Sequence, residues 1–334
     1  DVAVVCWNHA GTLDACLGAV AALNPGPERV MVVDNASSDG SAAVARGWAG
    51  RLPLDLEASA INLGFAGGVN RAWRRGSAPW LLLLNPDCAP QPDHVAVLLD
   101  AVARRPEAAE IGSVTGKLLR AADDGLAVTA VLDAAGMVVT PAGRHFDRGA
   151  GEPDDGRWDR PAWVFGGTGA CTLYRRAALE DVLYPDGQLL PESFFAYRED
   201  AELAWRLQWR GWRCLYVPGA VAVHRRGLKP ERGRRQDPVV NRLSVQNRFL
   251  LRAHCADGGW HLRCLPWWLV RDLAVIGACL TVERSSLPGL AGAFRHRHDA
   301  RRRRRWVLGR VRVPSRRIAR WFRREGWTEE LEEV

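Results

Sequence analysis

Short apolar runs alternate with helical patterns over the first third of the chain. The runs are flanked by polar or turn residues and predict strands at 2–6, 30–33 and 79–87, and LDLEAS at 54–59 is a candidate for a further strand. The segments between them predict helices, near 42–46, at 68–75, and where apolar residues have helical spacing at Leu13, Leu17, Val20 and Leu23. This alternation predicts an α/β fold with a mostly parallel sheet and helices on both faces.

The pattern is less regular after residue 110. A polar loop rich in glycine and proline is predicted at 147–161, and a strand, a glycine turn, a second strand and a helix start follow at 162–179. A helix is predicted at 198–212, then a returning strand, and from about 240 the chain is helical with interleaved Trp and Arg. We therefore predict a domain at 1–230, with two halves of about 1–110 and 111–230, and a helical region at 231–334.

Composition changes this picture little. The chain has 334 residues, of which 47% are hydrophobic and 25% charged, as is typical of a globular protein with a sizeable core. Its eight cysteines form no CxxC pair, which argues against a disulfide framework or a zinc site and favours reduced thiols in the cytosol. The first residues already read as a strand, so we expect no signal peptide beyond a start residue or short leader.

Charge is unevenly distributed. The segment 295–324 contains fourteen arginines and one acid, Asp299, so it carries +13, whereas the whole chain carries +8. The remainder of the chain is therefore mildly acidic. A basic segment of this kind requires a polyanionic neighbour or plain solvent.

Acidic residues follow one of the predicted strands directly. Asp34 ends the run 30–33, where an acid is costly unless it has a partner, so its carboxylate could accept hydrogen bonds from a nucleotide base or ribose. Asp39 lies in the same loop. The alternative for both is a turn whose Asp and Ser side chains bond the backbone and cap the next helix.

A glycine-rich stretch and a second strand-ending acid follow. Three glycines lie between Asn62 and Asn70 in a pattern that is neither a Walker A loop nor a clean GxGxxG, so a phosphate site and a structural turn are equal alternatives. Asp87 ends the run 79–87 in the sequence LNPD. A carboxylate there is suited to hold Mg²⁺ or Mn²⁺ on a diphosphate, because these ions prefer hard oxygen ligands. The alternative is an Asn-Pro-Asp turn.

Three acids open the helix predicted at 198–212: Glu199, Asp200 and Glu202. Acids at a helix start interact favourably with the helix dipole, but a carboxylate at this entrance could instead accept a proton from a hydroxyl nucleophile. Their mutual repulsion requires a cation, for which Arg198 and Arg206 are the candidates. His224 ends a later apolar strand and could ligate a metal or contact phosphate, although a lone histidine is more often structural.

These stretches together resemble the family 2 glycosyltransferases, and within them the bacterial rhamnosyltransferase-like branch. Seven pieces occur in the order of that family: VVCWN (4–8), VVDNASSDGS (32–41), NLGFAGGVN (62–70), LNPD (84–87), GGTGACTLYRRAAL (166–179), FFAYREDAELAWRLQWRGW (194–212) and VAVHRRG (221–227). The resemblance covers roughly 2–228. It implies a GT-A fold, with 1–110 as donor half and 111–230 as acceptor half, a nucleotide-sugar donor, and inversion at the anomeric carbon.

The resemblance also implies residue roles. Asp34 corresponds to the residue that binds the nucleotide base, and the other donor-binding positions are Asn8, Asp39, Asn62, Gly64 and Asn70. Asp200 corresponds to the catalytic base, with Glu199 as its neighbour. Asp87 matches the last acid of the metal-binding motif, and His224 matches a histidine that assists the metal or the diphosphate. NPD supplies one carboxylate where many relatives have more, and VVCWN lacks the commoner Thr-Tyr before Asn8, which alters the base-stacking contact.

The implied reaction is transfer of L-rhamnose from a dTDP-sugar to a hydroxyl of a glycan or polyprenyl-diphosphate-linked saccharide in cell-envelope synthesis. A UDP-sugar and another acceptor are the alternative. A nucleotidyltransferase would require a glycine-rich, basic loop after the first strand, which CWNHAGTL lacks. A non-catalytic binder would leave Asp87 and Asp200 unexplained.

The basic end of the chain predicts membrane association. Residues 265–282 are apolar but contain Arg271 and Asp272 in the middle, so we expect an interfacial rather than a spanning helix, with Trp260, Trp267 and Trp268 at headgroup depth. The arginines of 295–324 would meet anionic lipid on the cytoplasmic face of the plasma membrane. A helical packing layer is the alternative, and nucleic-acid binding is not expected because the body of the chain is acidic.

Overall fold

The computed structural model of the chain describes residues 1–123, 125–226, 237–323 and 328–331. Its helices and strands, in chain order, are β1 (Val2–Cys6), α1 (Ala10–Ala21), β2 (Val30–Asp34), α2 (Ser41–Gly47), β3 (Leu54–Ala58), α3 (Gly64–Trp73), β4 (Trp80–Leu84), β5 (Cys88–Pro90), α4 (His94–Ala103), β6 (Ile111–Ala121), β7 (Val128–Ala134), β8 (Met137–Val139), β9 (His145–Asp147), β10 (Ala162–Val164), β11 (Cys171–Arg175), α5 (Arg176–Asp181), α6 (Glu199–Trp209), β12 (Arg213–His224), α7 (Pro238–Cys255), α8 (Gly258–Leu280), α9 (Leu287–Arg295), α10 (Arg297–Leu308), α11 (Ser315–Ala319) and β13 (Glu329–Glu330).

One eleven-stranded sheet runs through the described residues. Nine strands follow the order β13-β10-β12-β6-β11-β4-β1-β2-β3, while β5 pairs with β12 and β7 with β6. Strands β4, β1, β2 and β3 are mutually parallel, whereas β11 is antiparallel to both β4 and β6. The predicted α/β class of GT-A type is confirmed, with the antiparallel pairings concentrated in the second half.

Helices cover both faces of the parallel half. Val2 and Val4 of β1 belong to the same buried cluster as Leu13 of α1, whereas Ala3 and Val5 face the opposite cluster with α3. This alternation is the reason β1 reads as a continuous apolar run, because a parallel strand is buried on both sides.

Helix α3 begins four residues before the predicted start. Gly68 lies so close to the sheet that a Cβ there would come within 2.4 Å of Val5 Cγ1. Gly68 therefore allows α3 to pack tightly on β1, and the stretch NLGFAGGVN forms a helix instead of an open loop.

The C-terminal helices pack on the same core as the sheet. The rings of Trp260 and Phe322 lie 5.5 Å apart and both contact Trp205 of α6. The chain then returns to the sheet, where β13 pairs with β10. The predicted boundary near 230 falls within residues 227–236, outside the described ranges, and the division into two domains stays a prediction.

The predictions for the basic segment need correction. Trp260 is 1% exposed and cannot lie at headgroup depth, because it fills the aromatic cluster, while Trp267 is 41% exposed. Arg303 of the five-arginine run is buried against Asp186 and Asp299. Part of this basic segment is therefore a packing layer on the acidic body. Among the described residues, no single helix is long and apolar enough to cross a membrane, and α8 passes that test only together with 284–295, at a 109° bend.

Candidate functional site

Three of the parallel strands end at the same edge of the sheet. Cys6 of β1 is in register with Asp34 of β2, and Val4 of β1 with Leu84 of β4. Adjacent strands are separated by 4.7–4.9 Å, so the chain segments carrying Asp34 and Asp87 leave the sheet roughly 10 Å apart. In open α/β sheets, ligands bind beyond this carboxyl edge.

The loop after β2 is held by its own polar groups. Asp34 is buried and accepts hydrogen bonds from the Cys6 thiol at 3.5 Å and the Ser37 amide at 3.3 Å. Asn8 accepts from the Ser38 amide at 2.8 Å, and its own amide donates to Ser37 Oγ at 2.9 Å. The two loops that end β1 and β2 are thus fixed to each other at the edge where a nucleotide would lie.

Asp39 ties the same two loops together. It accepts from the Ala10 amide at 2.8 Å and from the amide and hydroxyl of Ser41. Burial opposes its ionisation, but these hydrogen bonds outweigh that effect and lower its pKa. These contacts match the loop-fixing alternative, and direct donor binding by Asp39 stays a prediction.

The asparagines of NLGFAGGVN fix the start and middle of α3. Asn62 accepts from the Gly64 amide at 2.8 Å, and Gly64 has φ +71° with the Phe195 carbonyl so close that a Cβ could not fit. Asn70 is fully buried and uses both ends of its amide on the segment 189–192, including the amides of Leu189 and Leu190. Asn70 therefore positions chain segments, and its predicted contact with the donor has no free polar atom to make it.

Asp87 lies in a buried chain of alternating charges. Its Oδ1 is 3.3 Å from His224 Nε2, and His224 Nδ1 is 2.7 Å from Asp133. Arg226 Nε donates to Asp133 at 2.7 Å and also pairs with Asp147. Burial lowers the pKa of His224, but the two carboxylates outweigh it and raise the pKa to about 10. His224 is therefore a cation that orients Asp87.

Sequence reasoning missed Asp133, Asp147 and Arg226. Asp133 is 1% exposed on β7, in the apolar stretch AVLDAA. Burial of an acid within an apolar strand is costly unless the acid is paired, so the sequence alone indicates that Asp133 needs a partner. The sequence gives no sign of a role for Asp147, because only the folded β8–β9 hairpin brings this residue to Arg226.

The metal prediction fits this geometry only with help from the substrate. Among the described residues, no three His, Cys, Asp or Glu side chains are grouped so as to hold a metal ion. Mg²⁺ at nucleotide sites is commonly held by one or two carboxylates, with phosphate oxygens and waters completing the shell. Asp87 suits that arrangement. His224 is the weaker candidate ligand, because both of its ring nitrogens face carboxylates.

Asp200 lies at the entrance of α6 against the glycine turn 166–169. Its Oδ2 accepts from the Gly169 amide at 3.2 Å and its Oδ1 from the Ala201 amide at 2.7 Å. The same turn reaches the end of β4, where the Asn85 amide donates to the Ala170 carbonyl at 2.8 Å. Asp200 and the LNPD sequence thus contact opposite sides of one turn.

The environment of Asp200 tunes it toward neutral pH. Burial, and then the charge of Asp147, raise its pKa to about 6. Glu199 is also buried, its Oε2 has no hydrogen-bond partner among the described residues, and burial followed by the charge of Asp200 raises its pKa. An acid with a pKa near the working pH is suited to general base catalysis.

The backbone that leads into Asp200 is unusual and is held by α7. Three residues that are not glycine have positive φ, namely Phe195 at 61°, Tyr197 at 72° and Arg198 at 73°. The amide of Asn247 donates to three carbonyls in this segment, those of Phe194, Ala196 and Tyr197. Such conformations persist only where surrounding contacts hold them, and Asn247 supplies those contacts.

Glu202, the third acid, has a structural role. It is fully buried, accepts from Arg206 Nε at 2.8 Å and the Tyr184 hydroxyl, and lies 3.3 Å from His254 Nδ1. Burial raises its pKa, but the Arg206 charge together with the contacts from His254 and Tyr184 outweighs that effect, and the pKa falls to about 2. Arg206 is thus the expected cation, whereas Arg198 lies against His145 and Ser244 instead.

The mixed α/β sheet, with acids beyond the carboxyl ends of its parallel strands, is of the GT-A type. The chain belongs to glycosyl transferase family 2, whose family model matches residues 1–183. The predicted family resemblance, including its rhamnosyltransferase-like branch, is confirmed by this match and by the relatives described next.

Two relatives from Mycobacterium tuberculosis strains are N-acetylglucosaminyl-diphospho-decaprenol L-rhamnosyltransferases. Each is 28% identical over 299 residues, which cover 82% of this chain and 90% of the relative. Among solved structures, the Pyrobaculum calidifontis mannosyltransferase PcManGT with GDP-Man and Mn²⁺ superposes with a TM-score of 0.51 at 21% identity, covering 92% of this chain and 84% of that one. GalNAc-T7 with UDP, GalNAc and Mn²⁺ gives 0.59 at 11% identity, covering 89% and 55%. These structures share the fold.

Proposed function

We propose that this chain is an inverting, metal-dependent glycosyltransferase that moves L-rhamnose from a dTDP-sugar to a hydroxyl of a polyprenyl-diphosphate-linked saccharide. The observation that carries the proposal is the position of Asp200, with its pKa raised to about 6, on the turn that also contacts the LNPD sequence. The names of the mycobacterial relatives support the choice of sugar and acceptor.

The proposed reaction assigns each group one task. Asp34 and Asn8 hold the base and ribose at the ends of β2 and β1. Asp200 accepts the proton of the acceptor hydroxyl as its oxygen attacks the anomeric carbon from the face opposite the diphosphate. The bond from the anomeric carbon to the diphosphate oxygen breaks, and its electron pair leaves with the nucleoside diphosphate. General base catalysis of this kind contributes typically ~10²–10⁴-fold.

The proposal assigns a divalent ion to Asp87. When bound, Mg²⁺ or Mn²⁺ would neutralise the charge that develops on the departing diphosphate. Asp87 is the carboxylate that would hold it, and His224 keeps that carboxylate oriented through its bonds to Asp87 and Asp133. Arg226 holds Asp133 in turn.

A donor screen tests this proposal. Thermal shifts would be measured with dTDP-, UDP- and GDP-sugars in Mn²⁺, followed by transfer assays onto a synthetic N-acetylglucosaminyl-diphospho-lipid. We expect dTDP-rhamnose to stabilise the protein most and to support transfer. Preference for a UDP-sugar would replace the donor in the proposal, and absence of stabilisation by every donor would contradict it.

We further propose that the protein works peripherally on the cytoplasmic face of the membrane and that α8 and α9 make the contact. Large apolar side chains are exposed along these helices, including Leu262, Val270, Leu273 and Phe294. Flotation with liposomes tests this assignment. The double variant Val270→Glu and Leu273→Glu should abolish flotation, whereas Arg305→Gln on α10 should weaken it little. The opposite result would show that the basic segment 295–324, and not α8 and α9, contacts the membrane.

A further inference from the structure

Five arginines converge beside the catalytic entrance from four separate parts of the chain. We define this arginine cluster as Arg144, Arg198, Arg248, Arg252 and Arg271. Helix α7 forms its spine, because Ser244, Arg248 and Arg252 are spaced four residues apart and lie on one face.

The contacts around this spine bring the other members together. At one end, Arg198 Nη2 lies 3.4 Å from Ser244 Oγ, and Arg198 Nη1 lies 3.4 Å from His145 Nδ1. At the other end, Arg252 pairs with Asp272 and packs so closely on Gly143 that a Cβ there would be 2.9 Å from its Cδ. Arg144 lies between Gly143 and His145, and Arg271 precedes Asp272.

The two members on α7 are buried, the other three are partly exposed, and among the described residues the positive charge of the cluster is poorly compensated. Arg248 and Arg252 are each 6% exposed, and Asp272 accepts a hydrogen bond from Arg252. Three donors have no hydrogen-bond partner among the described residues: Arg248 Nη1, Arg252 Nη1 and Arg271 Nε. Buried polar groups nearly always have partners, so unpaired guanidinium donors require an explanation.

The electrostatics agree with this geometry. Burial, and then repulsion from Arg144, lower the pKa of Arg198 to about 10. Burial, and then repulsion from Arg198, lower the pKa of Arg248 to about 9. His145 is held neutral by the same two effects, with a pKa of about 3. An anion bound here would relieve repulsion that the protein alone leaves in place.

We infer that the arginine cluster is the binding site for the diphosphate of the lipid-linked acceptor. Guanidinium groups bind phosphate through paired, charge-assisted hydrogen bonds. The inference rests on the proposed function for the identity of the acceptor. Arg198 lies two residues from Asp200, and in a sugar diphosphate the nucleophilic hydroxyl and the phosphate are separated by one pyranose ring. The donor diphosphate belongs to the other side of Asp200, at Asp87.

The surface beside the cluster suits the rest of such an acceptor. Arg271 and Asp272 face α7, while Val270 and Leu273 on the same turns of α8 are 67% and 62% exposed. The arginine cluster therefore lies next to exposed apolar side chains of α8. This arrangement suits a molecule with a charged diphosphate and a hydrocarbon chain.

The test measures binding rather than transfer. Dissociation constants would be determined for geranyl diphosphate and, separately, for dTDP with Mn²⁺, in the full chain and in Arg248→Gln and Arg144→Gln. Arg305→Gln, exposed on α10, is the control for loss of one positive charge. We expect each cluster variant to bind geranyl diphosphate at least about tenfold more weakly and to bind dTDP within about twofold of the unchanged chain.

The other possible outcomes would contradict the inference or separate it from the proposed function. Unchanged binding of geranyl diphosphate overturns the inference, and so does an equal loss of dTDP binding, which would assign the cluster to the donor. Loss of binding only to vesicles containing phosphatidylglycerol would identify a headgroup site and also overturn it. If Arg248→Gln does not fold, Arg144→Gln on the β8–β9 connection carries the test. Tight, cluster-dependent binding without sugar transfer from any donor would support this site while refuting the proposed function.

Discussion

The two sides of the candidate site satisfy their polar groups in opposite ways. On the donor side, Asp34, Asn8 and Asp39 bond to backbone amides and hydroxyls within the loops that end β1 and β2. On the other side, the arginine cluster brings several positive charges together, and three of its guanidinium donors have no partner in the part of the chain that the structure describes. Among the described residues, the donor edge leaves one buried polar atom without a partner, Asn35 Oδ1, whereas the arginine cluster leaves three guanidinium donors without one, as expected for the site that we propose to bind an anion.

The largest effect is expected at Asp200, the proposed base between the donor side and the arginine cluster. Asp200→Asn removes the proton acceptor but keeps the shape of the side chain. We expect turnover to fall by ~10²–10⁴-fold with nucleotide binding unchanged, measured by steady-state transfer and by calorimetry with dTDP. Glu199→Gln is the matched neighbour. A larger loss in Glu199→Gln than in Asp200→Asn would assign the base to Glu199.

Removing the metal tests the donor side alone. We expect EDTA to lower transfer by at least about a hundredfold, because the departing diphosphate loses its counter-charge. Added Mn²⁺ should restore the rate in the unchanged chain, but only weakly in Asp87→Asn. Binding of geranyl diphosphate should not respond to EDTA. Full activity in EDTA would refute the metal dependence.

A third prediction concerns Arg206, a buried cation that, unlike the arginine cluster, is paired with a carboxylate. Glu202→Ala leaves Arg206 buried without its carboxylate and should lower the free energy of unfolding by about 3–5 kcal/mol. Asp100→Ala on α4 is the control, because Asp100 and Arg104 form an ion pair with the same spacing but on the exposed surface. We expect a change of at most about 0.5 kcal/mol there, measured by denaturant unfolding. Equal effects would show that burial does not decide the energetics of these pairs.

The smallest expected effect is on the pH profile. Because the pKa of Asp200 is raised to about 6, the base is protonated below that pH, and kcat/KM should rise about tenfold per pH unit up to about 6 and then level off. The same raised pKa contributes stability below the ordinary value of 3.8, and this contribution is lost as the pH rises through about 6. A profile without a step near pH 6 would contradict the assignment.

The parallel half was largely predictable. Strands at 2–6 and 30–33 match β1 and β2 within a residue, because a strand buried on both faces leaves a continuous apolar run in the sequence. The strand at 54–59 matches β3 equally well through the alternation in LDLEA, which suits a half-buried strand at the end of the sheet. Helix α3 was placed late because its glycines were interpreted as a possible loop. The requirement for glycine comes from close contacts: Gly68 packs on Val5, 63 residues earlier in the chain, and Gly64 packs on Phe195, 131 residues later.

The second half was less predictable for the same reason. Strand β7 is partly exposed and its apolar pattern is weak, so neither the strand nor Asp133 was identified. The buried state of Trp260 was missed because an amphipathic helix with Trp is compatible with both a membrane surface and an aromatic core. In these cases the local pattern was real, but the partner that decided its meaning lay far away in the sequence.

By itself, the sequence determined the α/β class, the family, and the acids at positions 34, 87 and 200, because strand periodicity and short motifs are local properties. Only the tertiary structure decided that Asn70 and Glu202 have structural contacts, that His224 lies between two carboxylates, and that five arginines from positions 144 to 271 lie close together. Such a cluster depends on packing between distant elements, and burial and electrostatic repulsion exist only once that packing has formed.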